Sequence, residues 1–258
     1  MDSILAYLMD RIMILPGIIV GLCFHEFAHA KVSNMLGDPT PEYQGRVTLN
    51  PMAHIDPMGF ICLMFFGFGW GKPVAINPTY YKRRRGGEIM VGLAGVVMNL
   101  LIAVAGMGIL RLLYQFAPAF LMSQTGSIIN QIIVGLIQIN IVLMFFNLIP
   151  LPPLDGFGVV TNIFRLERKS WFPKLYRMGP MILMLAIIFD LTSKVLSPLV
   201  SSTYMMLVGI FFGIYSEKLR KILNVKNGTA LCGQFFFSTR YCEIFMFIRF
   251  LAGYRITR

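Results

Sequence analysis

Charged residues leave long stretches of this chain empty, and that gap limits its possible folds more than any other feature. Apolar runs cover roughly 12–36, 59–71, 89–114, 128–149 and 180–200, with a shorter one at 204–215. An α-helix needs about 20 apolar residues to cross the hydrocarbon core of a bilayer. Across all 258 residues, 56% are hydrophobic and 14% charged, against roughly 25% charged in soluble domains. The pattern predicts a polytopic α-helical membrane protein. The run at 59–71 is too short to span as a helix. Its glycines and aromatics (Phe65, Phe66, Gly67, Phe68, Gly69, Trp70) predict a short re-entrant or edge-strand segment. Irregular backbone is tolerated at membrane depth where it is buried in protein or lines a cavity.

The net charge is +11, which alone is compatible with nucleic-acid binding. Its distribution argues against that. Basic residues gather between apolar runs, at Lys82, Arg83, Arg84 and Arg85, at Arg165, Arg168, Lys169, Lys174 and Arg177, and at Lys218, Arg220, Lys221 and Lys226. This is the pattern of cytoplasmic loops in a membrane protein. It places the start of the third run and the end of the fourth in the cytosol, with the N-terminus outside. The fifth run then leaves and the short sixth returns. Four cysteines, Cys23, Cys62, Cys232 and Cys242, show no C-x-x-C spacing and suggest neither a disulfide framework nor a thiolate metal site. The first residues include Asp2 and Asp10 and lack the basic region of a signal peptide, so the first run is expected to be retained. One membrane domain is expected over 1–226, with an aromatic and basic tail of unassigned role over 227–258.

Two of the three histidines stand in the run His25-Glu26-Phe27-Ala28-His29. Residues four apart share one face of a helix, so both imidazoles can reach one metal ion. In the H-E-x-x-H arrangement the glutamate is the general base for the water that zinc activates. The flanks are apolar, and ionisable residues inside a membrane span are costly and functional by default. A catalytic zinc needs a third protein ligand and an open position. His54 reads as a satisfied loop histidine. Asp155 is the better candidate. It follows a span ending Asn147-Leu148-Ile149-Pro150 and lies in Leu151-Pro152-Pro153-Leu154-Asp155-Gly156. There the prolines break the helix and the glycine permits a sharp turn. An interfacial turn aspartate remains the alternative on these residues alone. Asp190 and Lys194, four apart in the fifth run, suit a structural pair.

The two motifs, His25-Glu26-x-x-His29 and Asn147-x-x-Pro150-x-x-x-x-Asp155-Gly156, taken together resemble those of the site-2 protease family of intramembrane metalloproteases. The resemblance extends through Gly45-Arg46-Val47-Thr48-Leu49-Asn50-Pro51, Gly69-Trp70-Gly71-Lys72-Pro73-Val74 and Gly95-x-x-x-Asn99. It covers about 15–162 and is looser afterwards. The short bacterial branch without PDZ or CBS domains is the nearest match. The resemblance implies a three-helix catalytic core plus extra helices, with ligands on its first and third helices. It implies one zinc per chain on His25, His29 and Asp155, and Glu26 as catalytic base. Asn147 and Asn99 are its candidate substrate-binding or oxyanion residues, with packing an equal reading for Gly95 and Asn99. The segment 59–74 would offer an edge to which an extended substrate adds by β-augmentation.

The expected activity is a zinc endopeptidase that hydrolyses peptide bonds in or near transmembrane segments. Its expected partners are a transmembrane protein substrate and the lipid bilayer, with no nucleic acid. The expected location is a bacterial cell membrane, multi-pass, with the active site towards the cytosolic side. The sequence carries no signal for oligomeric state. The competing reading is a metal-binding membrane protein or transporter without hydrolysis, since ionisable residues in spans also mark ion pathways.

Overall fold

A computed structural model of the chain describes residues 2–66 and 71–213. The described elements are α1 (Asp2–Met35), α2 (Thr40–Tyr43), α3 (Pro51–His54), α4 (Pro57–Phe66), a 3-10 turn (Pro78–Tyr80), α5 (Arg84–Phe116), α6 (Pro118–Leu121), α7 (Gln124–Leu148), α8 (Asp155–Phe164), a second 3-10 turn (Leu166–Arg168), α9 (Phe172–Ile188) and α10 (Leu191–Phe212). Among the described residues, four stretches are long and apolar enough to cross a membrane: Ile12–Met35, Arg84–Phe116, Gln124–Leu148 and Leu191–Phe212. The protein is a polytopic helical membrane protein, and no sheet forms among the described residues.

The centre is a bundle of α1, α5 and α7. In lipid, helices gain no hydrophobic advantage by meeting, so close van der Waals packing must hold them. Small residues supply it. A Cβ on Gly17 of α1 would stand 2.8 Å from the Leu136 Cα of α7, and one on Gly106 of α5 would stand 2.8 Å from Ile137 Cγ1. Around these contacts Ile18, Leu22, Val96, Met107, Ile137, Leu143 and Phe146 form the buried core.

The run 59–71 is too short to span, as expected, and its residues 67–70 lie outside the described residues. Residues Pro57–Phe66 form helix α4, whose 10 residues rise only about 15 Å, half the bilayer core. Among the described residues, strand character is confined to one antiparallel bridge, Ile55 to Gly71, beside which Lys72 N–H donates to the His54 carbonyl at 2.8 Å. Residues 72–77 then run without regular secondary structure. Pro73 and Pro78 bound this stretch, and each biases the residue before it away from helix.

The fifth and sixth apolar runs also divide differently. The break falls at Asp190, inside the expected fifth run, and not near 200. Asp190 is in the left-handed conformation, φ 59°, which stops a helix and which Asp adopts more readily than most residues. The second half of the fifth run joins the sixth to make the 22-residue α10, a full span. The tail 227–258 lies outside the described residues.

A polar knot fixes 71–81 against the end of α1. The buried Asp38 carboxylate accepts hydrogen bonds from Ser33 Oγ at 2.8 Å, Asn77 N–H at 2.7 Å and Thr40 N–H at 2.9 Å. Ser33 Oγ in turn lies 2.7 Å from the Tyr81 hydroxyl. Burial, the main cause, pushes the Tyr81 phenol up to about 12, so it stays a donor.

Candidate metal centre

Helix α1 carries His25, Glu26 and His29 into the middle of the bundle, where all three are buried. The third group arrives from the far side of the sequence. Helix α7 ends at Leu148 because Pro150, Pro152 and Pro153 follow, and the chain restarts as α8 at Asp155. Gly156 lets the two helices meet, since a Cβ there would stand 2.3 Å from the Leu148 carbonyl oxygen. The Asp155 carboxylate is thereby set over the two imidazoles.

Three ligand atoms converge. His25 Nε2 lies 3.0 Å from Asp155 Oδ2, His29 Nε2 lies 3.2 Å from the same oxygen, and the two Nε2 atoms are 3.0 Å apart. His29 Nδ1 is 2.7 Å from the Val91 carbonyl of α5. A carbonyl only accepts, so that nitrogen carries the proton and, in the neutral ring, Nε2 presents a lone pair. A lone pair facing a carboxylate is unfavourable unless a cation lies between them. Zinc bonds of about 2.0–2.1 Å in tetrahedral geometry separate ligands by about 3.3 Å, so a few tenths of an ångström of relaxation accommodate the ion. Two imidazoles and one carboxylate are also the donor set of catalytic zinc sites with an open position. Burial alone would raise the Asp155 pKa. Protonated His29 and His25 outweigh it through their charge and hydrogen bonds and hold the carboxyl well below the ordinary range, so an anionic carboxylate is available at neutral pH.

Glu26 adjoins this triangle. Its Oε2 accepts a hydrogen bond from Val74 N–H at 3.3 Å, and the next N–H, of Ala75, donates to Gln44 Oε1 at 3.3 Å. The stretch 72–77 is thus anchored to the glutamate at one residue and to the loop after α2 at the next. Arg46, two residues beyond Gln44, is half-buried. Burial lowers the pKa of its guanidinium, and the Glu26 charge opposes that shift. Sequence reasoning placed Arg46 only within a motif. Its nearness to Glu26 depends on how the loop folds back, which no local spacing reports.

The remaining candidates divide. Asn99, fully buried on α5, lies with Nδ2 3.2 Å from His25 Nδ1. It therefore touches a metal-site histidine directly. Asn147 is also fully buried, and its Nδ2 donates to the Leu143 carbonyl one turn back at 2.9 Å. His54 is buried outside the cluster, with Nε2 donating to the Thr48 carbonyl at 2.8 Å and Nδ1 without a hydrogen-bond partner among the described residues.

Comparison with known proteins agrees with this chemistry. The chain is 34% identical over 203 residues to "Putative zinc metalloprotease YwhC" of Bacillus subtilis, covering 78% of this chain and 92% of that protein. It is 30% identical over 161 residues to "Putative zinc metalloprotease Rip2" of Mycolicibacterium smegmatis, covering 60% of this chain and 59% of that protein. It is 28% identical over 159 residues to "Putative zinc metalloprotease MJ0611" of Methanocaldococcus jannaschii, covering 60% of this chain and 70% of that protein. No family profile matches the chain, and no solved structure matches it. With a relative this similar over nearly its whole length, and both paired motifs in place, the chain belongs to the site-2 protease family of zinc metalloproteases.

Proposed function

We propose that this protein is an intramembrane zinc endopeptidase, hydrolysing peptide bonds in or near the transmembrane segments of other proteins. One observation carries the reading. Ligand atoms of the buried His25 and His29 and of the part-buried Asp155 converge within 4.8 Å of one another, next to the buried Glu26 in sequence, among membrane-length helices.

His25, His29 and Asp155 would hold one zinc ion per chain. When bound, zinc supplies Lewis-acid polarisation of the scissile carbonyl and acidifies a water at neutral pH. The chain's own work is proton transfer and alignment. Glu26 takes the proton as the water oxygen bonds to the carbonyl carbon, and returns it to the leaving nitrogen as the C–N bond breaks. The Val74 N–H holds Oε2 of that glutamate and so limits its swing. A substrate unwound from its helix would lie along the 71–77 stretch, by addition to the edge that begins at the Ile55–Gly71 bridge. Asn147 would serve the developing oxyanion after turning its amide away from Leu143. We place the active site in the cytosolic half of a bacterial cell membrane, nearer the basic loops.

The test pairs zinc content with cleavage of a transmembrane peptide by purified protein in detergent. Glu26→Gln is expected to retain about one zinc per chain and to lose cleavage. Asp155→Ala is expected to lose most of its zinc, and cleavage with it. An active Glu26→Gln protein would remove the glutamate from its role. A wild type that takes up no zinc on reconstitution would remove the metal centre itself.

A further inference from the structure

Helix α5 supplies no ligand, yet it touches both ligand histidines. His29 Nδ1 donates to the Val91 carbonyl. Four residues on, Gly95 faces the ring of His25. A Cβ there would stand 2.4 Å from His25 Cε1 and 2.6 Å from each ring nitrogen. Distances under 3.0 Å are ones that real Cβ atoms essentially never show. Four residues further, the Asn99 side chain meets His25 Nδ1 at 3.2 Å. Val91, Gly95 and Asn99 share one helix face by this spacing. Asn99 is wholly buried, and its Oδ1 has no hydrogen-bond partner among the described residues.

The chemistry of His25 decides how that amide must sit. If Nε2 gives its lone pair to the metal, a neutral imidazole carries its proton on Nδ1. That N–H needs an acceptor, and Nδ2 of an amide is only a donor. The two ends of an asparagine amide differ by a half-turn about its last bond and are assigned from hydrogen bonding. Turning the amide gives Asn99 Oδ1 a donor, because His25 Nδ1–H then donates to it. We propose that this face of α5 is a positioning cradle. Val91 and Asn99 fix the tautomers of His29 and His25, and Gly95 leaves the space in which the His25 ring stands. The inference rests on the metal-centre reading and assigns Asn99 to the histidine, in place of substrate or oxyanion.

The test compares Asn99→Asp, Asn99→Leu and Gly95→Ala with wild type. Zinc affinity is read by competition with a chromophoric chelator, and ligand geometry by the visible spectrum of the cobalt-substituted protein. Loss of such an outer partner lowers metal affinity by roughly 10–100-fold. Asn99→Leu and Gly95→Ala are expected to fall by that amount with an altered cobalt spectrum. Asn99→Asp, which retains only acceptors, is expected to bind zinc at least as tightly as wild type. Wild-type affinity in Asn99→Leu, or an equal loss in Asn99→Asp and Asn99→Leu, would overturn the cradle while leaving the metal site intact. Gly95→Ala carries the test independently if Asn99→Leu does not fold. No zinc in any form, wild type included, overturns the metal centre and the cradle with it.

Discussion

The three histidines separate cleanly by what their rings touch. His25 and His29 point Nε2 at a shared carboxylate oxygen, whereas His54 spends its Nε2 proton on the Thr48 carbonyl. His54→Leu is therefore expected to leave zinc stoichiometry unchanged. It should lower the thermal unfolding midpoint in detergent, because it strands a carbonyl at a cost of about 1–3 kcal/mol. Loss of zinc in His54→Leu would return that residue to the ligand list. The residues that cluster as His25, His29 and Asp155 were legible in sequence because each motif is local. A period of four on one helix fixes His25 and His29, and a proline-broken helix end marks Asp155. The role of Asn99 was not legible. Its contact with His25 spans 74 positions and depends on the register of two packed helices, which no single-chain period encodes. The amide hydrogen bond of Asn147 to Leu143 escaped for another reason, since rotamer choice leaves no trace in residue order.

At the scale of elements, long helices were readable from apolar length alone, and irregular segments were not. The glycine-rich run 59–71 has the composition of a loop or edge, yet its residues up to Phe66 coil into α4, and among its described residues Gly71 pairs. Asp190 has the spacing of an i,i+4 partner for Lys194, yet its backbone conformation starts α10. The Asp38 knot is the element-level feature with the plainest pH consequence. Burial opposes its charge, but the N–H groups of Asn77 and Thr40 and the Ser33 hydroxyl outweigh that and hold the carboxyl below its ordinary value. A group depressed on folding stabilises the fold above its unfolded pKa, about 3.9. That contribution disappears as pH falls through the folded value. Wild-type thermal stability should therefore decline below about pH 4. Asp38→Asn should be less stable than wild type at pH 7 and show a smaller acid-dependent drop. Equal pH profiles for the two proteins would mean that Asp38 does not contribute through its charge.

The whole molecule is polarised end to end, and this links the chemistry to a side of the membrane. One end of the bundle carries Lys82, Arg83, Arg84 and Arg85 together with Arg165, Arg168 and Lys169. Arg85 reaches Glu167 at 3.7 Å, so the two basic segments meet in space. The opposite turn, 117–123, holds no charged residue. Along α5, Gly95 lies 11 residues from Arg84 and 21 from Phe116, or about 16 Å and 32 Å at 1.5 Å per residue. The metal centre therefore sits nearer the basic end. Basic loops remain cytosolic during insertion, which is the basis for proposing an active site in the cytosolic half. A background lacking native cysteines, with single cysteines at exposed Arg83 or at Met122 (91% exposed), tests the assignment with a membrane-impermeant maleimide. The Met122→Cys protein is expected to label in intact cells, and the Arg83→Cys protein only in inverted vesicles. The reverse pattern would place Glu26 and its ligands in the outer half, and substrates would then be cut from the other face of the membrane. Because His25, His29 and Asp155 converge in the same way regardless of side, such a result would change where the protease works and leave its chemistry as it stands.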